Sequence, residues 1–445
     1  MTIREFIASE PDLIRVDTPV SSHLEAAGII AALDGKAILF TDVDGGRRVV
    51  SGFTAGRERI ARNLGVSVAD LLRLLSRALE NPRSPDMVDH PPCQEVVLER
   101  PDLSQLPILR HLEGDGGRYI TAGVAVINDP QYGRNVSFHR LMVIGERECV
   151  ARVVEGRGTH TAWARTQEDL PIAIAIGCPL SVLLAAAMSP PKGVDEYGIA
   201  QAIRPAPLAH CLTVPLEVPA EAEYVIEGRL THRLANEGPF IDLTETWDGV
   251  RPQPVLEIDC ITHRRDPIYH AILPGLSEHK TIMGLPREPG ILNAVGRVCD
   301  VVEVALTPGG MSWLHALVRI RKRHRDDGPA AIRAAMEGHP SVKHVMVLDE
   351  DVELSDRDRV EWAIATRVQA GRDVYIFLDQ PSSSLDPSSR QVPGRRGLTD
   401  KMGIDATIPW PDSDDPDEIE RHTAAFRRVS YPEIHRGEEG ERGRG

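Results

Sequence analysis

The segment ANEGPFID, residues 235–242, holds two carboxylates, Glu237 and Asp242, on either side of Gly-Pro-Phe. So turn-rich a stretch predicts no regular element. Two carboxyl groups held on a turn beside an arginine have their pKa values pushed apart, which leaves one proton donor and one anion. An exposed acidic turn would use the same residues, and on this segment alone the two readings weigh about equally.

A second group of residues is more widely spread. RNVSFHR, residues 134–140, offers Asn135 and Arg140 just after a Val- and Ile-rich strand. An odd offset along an unbroken strand puts two side chains on opposite faces, so a shared site requires a bulge or twist here. A polar edge strand accounts for the pair without one. GRGTHTAW, residues 156–163, places His160 in a Gly-rich turn, where a histidine is either a neutral metal ligand or a solvated side chain. KGVDEYG, residues 192–198, places Glu196 at a helix start, where the helix dipole alone favours a carboxylate. Together, an amide oxygen, an imidazole and a carboxylate suit Mn²⁺ or a similar divalent ion better than a thiol-rich zinc site.

The elements that must position these residues fall into three regions. Residues 1 to about 90 alternate strand and helix signals. Lys36-Ala-Ile-Leu-Phe reads as a buried strand, and Ser67 caps a helix that has Asp70 at its third position and ends before Pro82. PDLSQLPIL, residues 101–109, is an extended connector. From about 118 to 275 the pattern is mostly β, with short strands at Tyr119–Ile127, Leu141–Ile144, Glu223–Ile226 and Val255–Thr262. One helix is expected around Pro179–Met188 and another after Gly193. Few helices among short strands predict a small barrel or sandwich. Residues 286–300 read as a helix leading into a third region with helices at 328–337 and 356–369 and strands at His344–Leu348 and Val374–Leu378. Pro381 to Arg396 is a Ser/Pro/Arg-rich loop, DEIERHTAAFRRV makes one amphipathic helix, and HRGEEGERGRG reads as disordered.

The totals bound the function. The 445 residues exceed one hydrophobic core, so two or three domains are expected. Net charge is −15, which argues against nucleic acid as the main partner because phosphate binding needs a basic face. Six scattered cysteines form no CxxC, so a zinc framework is not expected and a reducing compartment is. The start, MTIREFIASEPD, lacks an apolar signal core, and the longest apolar run, Pro171–Met188, is broken by Gly177, Cys178 and Pro179. A cytoplasmic protein without a membrane span follows as the expectation.

In order along the chain come Asn-x-Ser-x-x-Arg, a His in a turn, a Glu opening a helix, and EGPF followed by an acid. PIYHAILPG (267–275), EHKTIMGLPRE (278–288), VKHVMVLDEDVELSD (342–356), EWAIATR (361–367) and DKMGIDAT (400–407) extend the pattern. The chain thereby resembles the UbiD-type decarboxylases, which use prenylated FMN. The resemblance implies a mixed α/β fold: an N-terminal α/β domain (1–100), a central split β-barrel holding the flavin (101–285), a linker helix (286–300), a C-terminal α/β oligomerisation domain (301–411) and a terminal helix with a charged tail (412–445). It implies that Arg140, Glu237 and Asp242 form the catalytic network, and that Asn135, His160 and Glu196 are ligands of a divalent metal at the flavin phosphate. Ala185, Ala186 and Met188 fall where the family places contacts to K⁺. Lys343 matches the lysine that meets the flavin phosphate, and Thr121, Ser137 and Thr159 are further cofactor contacts. Two departures stand out. Ile241 replaces the usual Gly before the acid, leaving the backbone at Asp242 less free, and His139 beside Arg140 is unusual for the family.

Losing CO₂ from an sp² carbon requires an electron sink that no side chain supplies, so a cofactor must. In the family the flavin forms a covalent adduct with an unsaturated acid. Arg140 would grip the substrate carboxylate, Asp242 would act as general acid, and Glu237 would tune both. Such a dyad titrates as a pair. The EHxxxMGxPRE branch resembles enzymes of small furan or pyrrole carboxylates and the anhydromevalonate-phosphate decarboxylases. There His279 and Arg287, eight apart and near one face of a helix, would suit a second anionic group; tying a loop to the linker helix is the plainer role. The leading expectation is a reversible decarboxylase of a small unsaturated or heteroaromatic acid, served by a flavin prenyltransferase and assembling as a homodimer or homohexamer. A phosphorylated acid of isoprenoid synthesis, a flavin carrier without activity and a metal hydrolase are the alternatives.

Overall fold

The computed structural model describes residues 1–390, 397–413 and 415–429. The end of the Ser/Pro/Arg loop and the tail expected to be disordered lie outside these residues. The chain is mixed α/β, with a four-stranded sheet first, a nine-stranded sheet in the middle and a five-stranded sheet last.

In the N-terminal sheet, Ile14–Val16, Ile38–Val43 and Arg47–Ser51 lie side by side, and Ile268–His270 returns from the central region to complete it. The helix Val68–Glu80 begins as its sequence predicts. The Ser67 hydroxyl accepts from the Asp70 amide at 3.1 Å, a cap worth about 1 kcal/mol, and Leu71, Leu72, Leu75 and Ala78 turn to the interior.

The central sheet is antiparallel. Its path runs Tyr119–Ile120, Leu141–Val143, Glu148–Ala151, Arg251–His263, Tyr224–Glu237, Leu170–Ile176, Val124–Asp129 and Gly133–Phe138, with Val96–Val97 pairing off the path. Strand alternation feeds two cores. Ala173, Ala175 and Val225 pack on one side with the helix Leu180–Ala187, while Ile172, Ile174, Ile176 and Ile226 pack on the other. Among the described residues the strand pairing forms an open path and no closed ring. The chain crosses between the path's two ends twice, at Thr121–Gly123 and at His139–Arg140. The predicted strand Tyr119–Ile127 is broken at the first crossing. The expected Glu223–Ile226 and Val255–Thr262 strands are each part of a longer one, paired from Tyr224↔His263 to Glu237↔Arg251 with two bulges. Gly228 sits at one of them, where a Cβ would overlap the Glu257 carbonyl.

The connection to the last sheet is a 3₁₀ turn, Leu285–Arg287, followed by the helix Glu288–Val295. Proline near its start suits a helix that has no amide bond to lose there. The third sheet orders Asp300–Leu306, His315–Arg321, His344–Asp349, Leu398–Asp405 and Val374–Pro381. Helices Asp327–Gly338 and Arg357–Arg367 carry its flanks near the expected positions, and Pro416–Ala425 is a final helix without buried residues. Among the described residues no helix is long and apolar enough to cross a membrane.

Candidate active site

Arg140 lies beyond the end of the strand Gly133–Phe138, at the second crossing, where the His139 amide donates to Gly123. The strand ends before Arg140, so strict alternation with Asn135 does not apply. The guanidinium gathers three carboxylates. Nε and Nη2 donate to the two oxygens of Glu237 at 2.9 and 3.0 Å, Nη1 donates to Asp242 at 2.6 Å, and Nη2 donates to Asp248 at 2.6 Å. The Phe240 ring lies 4.8 Å from the guanidinium carbon. Burial opposes the charge on Arg140, yet the bonds to Glu237 and the nearby Asp242 and Asp248 raise it above its ordinary value, so it remains a cation.

Glu237 is fully buried and also accepts from the Tyr119 hydroxyl at 3.3 Å. Contrary to the turn-only expectation for ANEGPFID, Glu237 is the last residue of a strand, and Phe240–Ile241 is a short strand pairing Trp247–Asp248. The Gly-Pro pair confines the turn to two residues. Ile241 has an ordinary negative φ, so the missing glycine demands no strained backbone. Asp242 reaches Arg140 despite it, and its other oxygen accepts from the Leu243 amide at 2.6 Å. Asp248, Tyr119 and Arg251 did not emerge from the sequence. The available signal for Arg251 and Asp248 was the hairpin register that sets Glu237 opposite Arg251 and Phe240 opposite Asp248.

His279 and Arg287 lie on different elements. His279 lies on the helix Ser277–Gly284 and accepts from the Gly275 amide through Nδ1 at 3.0 Å, which leaves Nε2 as the donor. Burial lowers its pKa, and Asp242 and Arg140 are among its electrostatic neighbours. Arg287, in the 3₁₀ turn, stands over the Trp313 ring at 5.1 Å and faces Arg157 and Glu196. Burial and Arg157 push it down to about 9, so it is still charged at neutral pH.

Glu196 opens the helix Glu196–Ile203, accepting from Asn135 Nδ2 at 3.3 Å and the Val136 amide at 2.9 Å. Burial pushes its carboxyl up to about 8. On the other side of Asn135 is Gly158, where a Cβ would stand 2.8 Å from Asn135 Oδ1. Gly158 opens the helix Gly158–Arg165, so His160 lies in a helical first turn and not in the expected loop. Its ring is 6.1 Å from Trp163. Asn135 thus touches Glu196 and the start of the helix that carries His160. Among the described residues no three His, Cys, Asp or Glu gather as metal ligands; this set has an amide in one place.

Ser137 and Thr159 hydroxyls lie 3.3 and 2.9 Å from His139 Nε2, while Nδ1 meets the Arg152 carbonyl at 2.9 Å. His139 therefore braces strand, helix and crossing together, and burial keeps it neutral. Ala185 and Ala186 lie in the buried last turn of their helix, and the Met188 amide donates to the Ala185 carbonyl at 3.0 Å. Thr121 is half-buried at the first crossing. Lys343 pairs with Asp386 at 3.0 Å and with Ser388 at 2.5 Å.

The surroundings of Glu196 fit an anion bridged by a cation. Arg287 Nε is buried without a hydrogen-bond partner, and Arg157 has no carboxylate partner among the described residues. A phosphate ester would satisfy such groups, and a divalent ion would displace the Glu196 proton.

The N-terminal, Rift-related and C-terminal domains of 3-octaprenyl-4-hydroxybenzoate carboxy-lyase match residues 4–79, 86–277 and 280–406. The chain belongs to the UbiD family. It is 41% identical over 403 residues to an anhydromevalonate phosphate decarboxylase of Methanothermobacter thermautotrophicus, covering 88% of this chain and 93% of that one. Among solved structures, the UbiD-class enzyme HmfF from Pelotomaculum thermopropionicum in complex with FMN superposes with a TM-score of 0.89 at 39% identity, over 97% of this chain and 98% of that chain. An evolved dimeric form of HmfF in complex with prFMN gives 0.85 at 37% identity, over 97% of both. This UbiD-family chain is a carboxy-lyase.

Proposed function

We propose that the protein is a prenylated-FMN-dependent decarboxylase of a small α,β-unsaturated acid that carries a second anionic group. The observation that carries this reading is the single guanidinium of Arg140 shared by Glu237, Asp242 and Asp248. The cofactor, when bound, supplies the electron sink. Asn135, His160 and Glu196 would hold Mn²⁺ or a similar ion at its phosphate, with Arg157 and Arg287 nearby. Ala185, Ala186 and Met188 would face K⁺, and Thr121, Ser137, Thr159 and Lys343 are the remaining proposed cofactor contacts.

The protein's own residues have three tasks. Arg140 receives the substrate carboxylate, because its charge is fixed and its planar fork matches a carboxylate. Asp242, paired with Arg140 and less buried than Glu237, would take up a proton from solvent when the substrate carboxylate displaces it from Arg140, and would then deliver that proton to the carbon that loses CO₂. Glu237, fully buried, holds the guanidinium, and the Tyr119 hydroxyl donates to it.

The relatives named as anhydromevalonate phosphate decarboxylases favour a phosphorylated acid, whose second charge His279 would meet, while Arg287, beside Glu196 and Arg157, is left to the cofactor phosphate. Furan and pyrrole carboxylates are the second reading, favoured by the likeness to HmfF across nearly the whole chain. The test is expression beside a flavin prenyltransferase, followed by CO₂ release and deuterium exchange on both classes. Cofactor-loaded protein that exchanges label into neither would refute the proposal and favour a carrier role.

A further inference from the structure

Arg140 has five N–H groups, and four are engaged: two by Glu237, one by Asp242 and one by Asp248. One N–H on Nη1 remains. A substrate carboxylate gripped by two bonds must therefore displace an acid already present. The two smaller acids are held very differently. Asp242 has Arg140 as its one ion pair among the described residues, with its second oxygen on the adjacent Leu243 amide. Asp248 is bonded by Arg251 through both oxygens, Nη1 to Oδ2 at 2.9 Å and Nη2 to Oδ1, and Arg152 Nε stands 3.7 Å away. Burial opposes its ionisation, but Arg140 and Arg251 hold Asp248 below the usual carboxylate range.

The backbone fixes these partners in turn. Asp248 faces Phe240 across the short ladder, and Arg251 faces Glu237 across the long one. The Phe240 ring closes one side of the guanidinium, so Glu237, Asp248 and Phe240 restrain it on three sides.

We infer that Asp248 is the fixed anchor of Arg140, a positioning residue that holds the guanidinium plane while Asp242 gives way to the substrate carboxylate. This rests on the decarboxylase reading of the site. Misplacing a group by an ångström costs about a hundredfold in rate, whereas freeing an N–H does not weaken ground-state binding of a carboxylate.

The experiment compares wild type, Asp248→Asn and Asp248→Glu. In prenylated-FMN-loaded enzyme, Asp248→Asn should lower kcat by roughly ten- to a hundredfold with KM unchanged or lower, and Asp248→Glu should recover part of kcat. In FMN-loaded protein, 2-furoate should bind Asp248→Asn as tightly as wild type by calorimetry, and crystals should show the Arg140 guanidinium turned from its wild-type plane. Unchanged kcat, or Arg140 in the same position in both crystals, overturns the anchor. Loss of folding or of flavin binding in both variants assigns Asp248 to stability and overturns it as well. If wild type itself shows no turnover, the decarboxylase reading fails, while the crystals still decide whether Asp248 fixes Arg140.

Discussion

Replacing Asp242 by Asn removes a charge with almost no change of shape, and the structure allows its effects on stability and on rate to be separated. The Leu243 amide keeps an acceptor, and Arg140 keeps Glu237 and Asp248, so no buried cation is stranded. What is lost is one charge-assisted hydrogen bond at 2.6 Å. Such a bond contributes about 1.5–3 kcal/mol, and the low end applies here because Asp242 is partly open to solvent. Removing a general acid costs about 10²–10⁴ in rate, or roughly 3–5 kcal/mol of barrier. The rate effect therefore exceeds the stability effect. Asp242→Asn should remain folded and flavin-loaded while CO₂ release and deuterium incorporation fall by two orders of magnitude or more. The assay uses prenylated-FMN-loaded protein, with flavin absorbance as the control for loading. Exchange within about threefold of wild type in fully loaded protein would show that another group supplies the proton.

Other perturbations test the surroundings. In Gly116→Ala the new Cβ meets the Gly238 carbonyl, pressing on the turn between Glu237 and Asp242; a loss of about 1–3 kcal/mol in chemical denaturation is expected, together with reduced turnover. His160→Ala should lower Mn²⁺ retained after gel filtration, measured by plasma mass spectrometry, and flavin retention with it. Arg287→Ala should lower the flavin retained after gel filtration, because Arg287 faces Glu196 and Arg157 at the proposed phosphate site, and should change KM for a phosphorylated acid no more than for a simple furan monoacid. Arg367, fully buried, is bonded to Asp351 at 3.0 Å and lies 3.6 Å from Asp349, so Arg367→Ala should cost about 3–5 kcal/mol in urea unfolding. Burial raises Asp349 to about 6, so the folded state binds its proton more readily than the unfolded one. The stability this proton confers is present at low pH and lost as pH rises through about 6, and the Arg367→Ala deficit should be smaller at pH 5 than at pH 7.

Much of the fold is legible because local signals act over a few residues. Ser67 and Asp70 announce a helix start, and Pro82 follows its end. The strands His344–Asp349 and Val374–Pro381 stand out as apolar runs. The central region is harder to read. Whether Glu223–Ile226 is a short strand or the first part of Tyr224–Glu237 depends on its partner Arg251–His263, which lies more than twenty residues on. Pairing continues past two bulges that break the alternation, so a window of residues shows only the regular portion. His160 was expected in a loop because glycine and threonine are poor helix formers, yet it lies in the first turn of Gly158–Arg165, at a start packed so closely on Asn135 that Gly158 has no room for a Cβ.

The candidate site separates in the same way. Singly, Arg140, Glu237 and Asp242 each have a plain structural reading; the order of residues from Asn135 to Asp242 pointed to them because it resembles the UbiD-type decarboxylases. Asp248 and Tyr119 carry no such mark. Each becomes visible only when the hairpin register and the buried position of Glu237 are known. Asp248 shares Nη2 of Arg140 with Glu237, and that contact changes the question the site poses. With two acids, Arg140 would have two free N–H groups for a substrate carboxylate. With three it has one, so either an acid moves or the substrate binds by a single bond. The ion pairs decide between the acids: Asp248 is tied by Arg251 through both oxygens, and Asp242 is tied by Arg140 alone. The residue with the freedom to move is thus the one to which the proposed mechanism gives the proton.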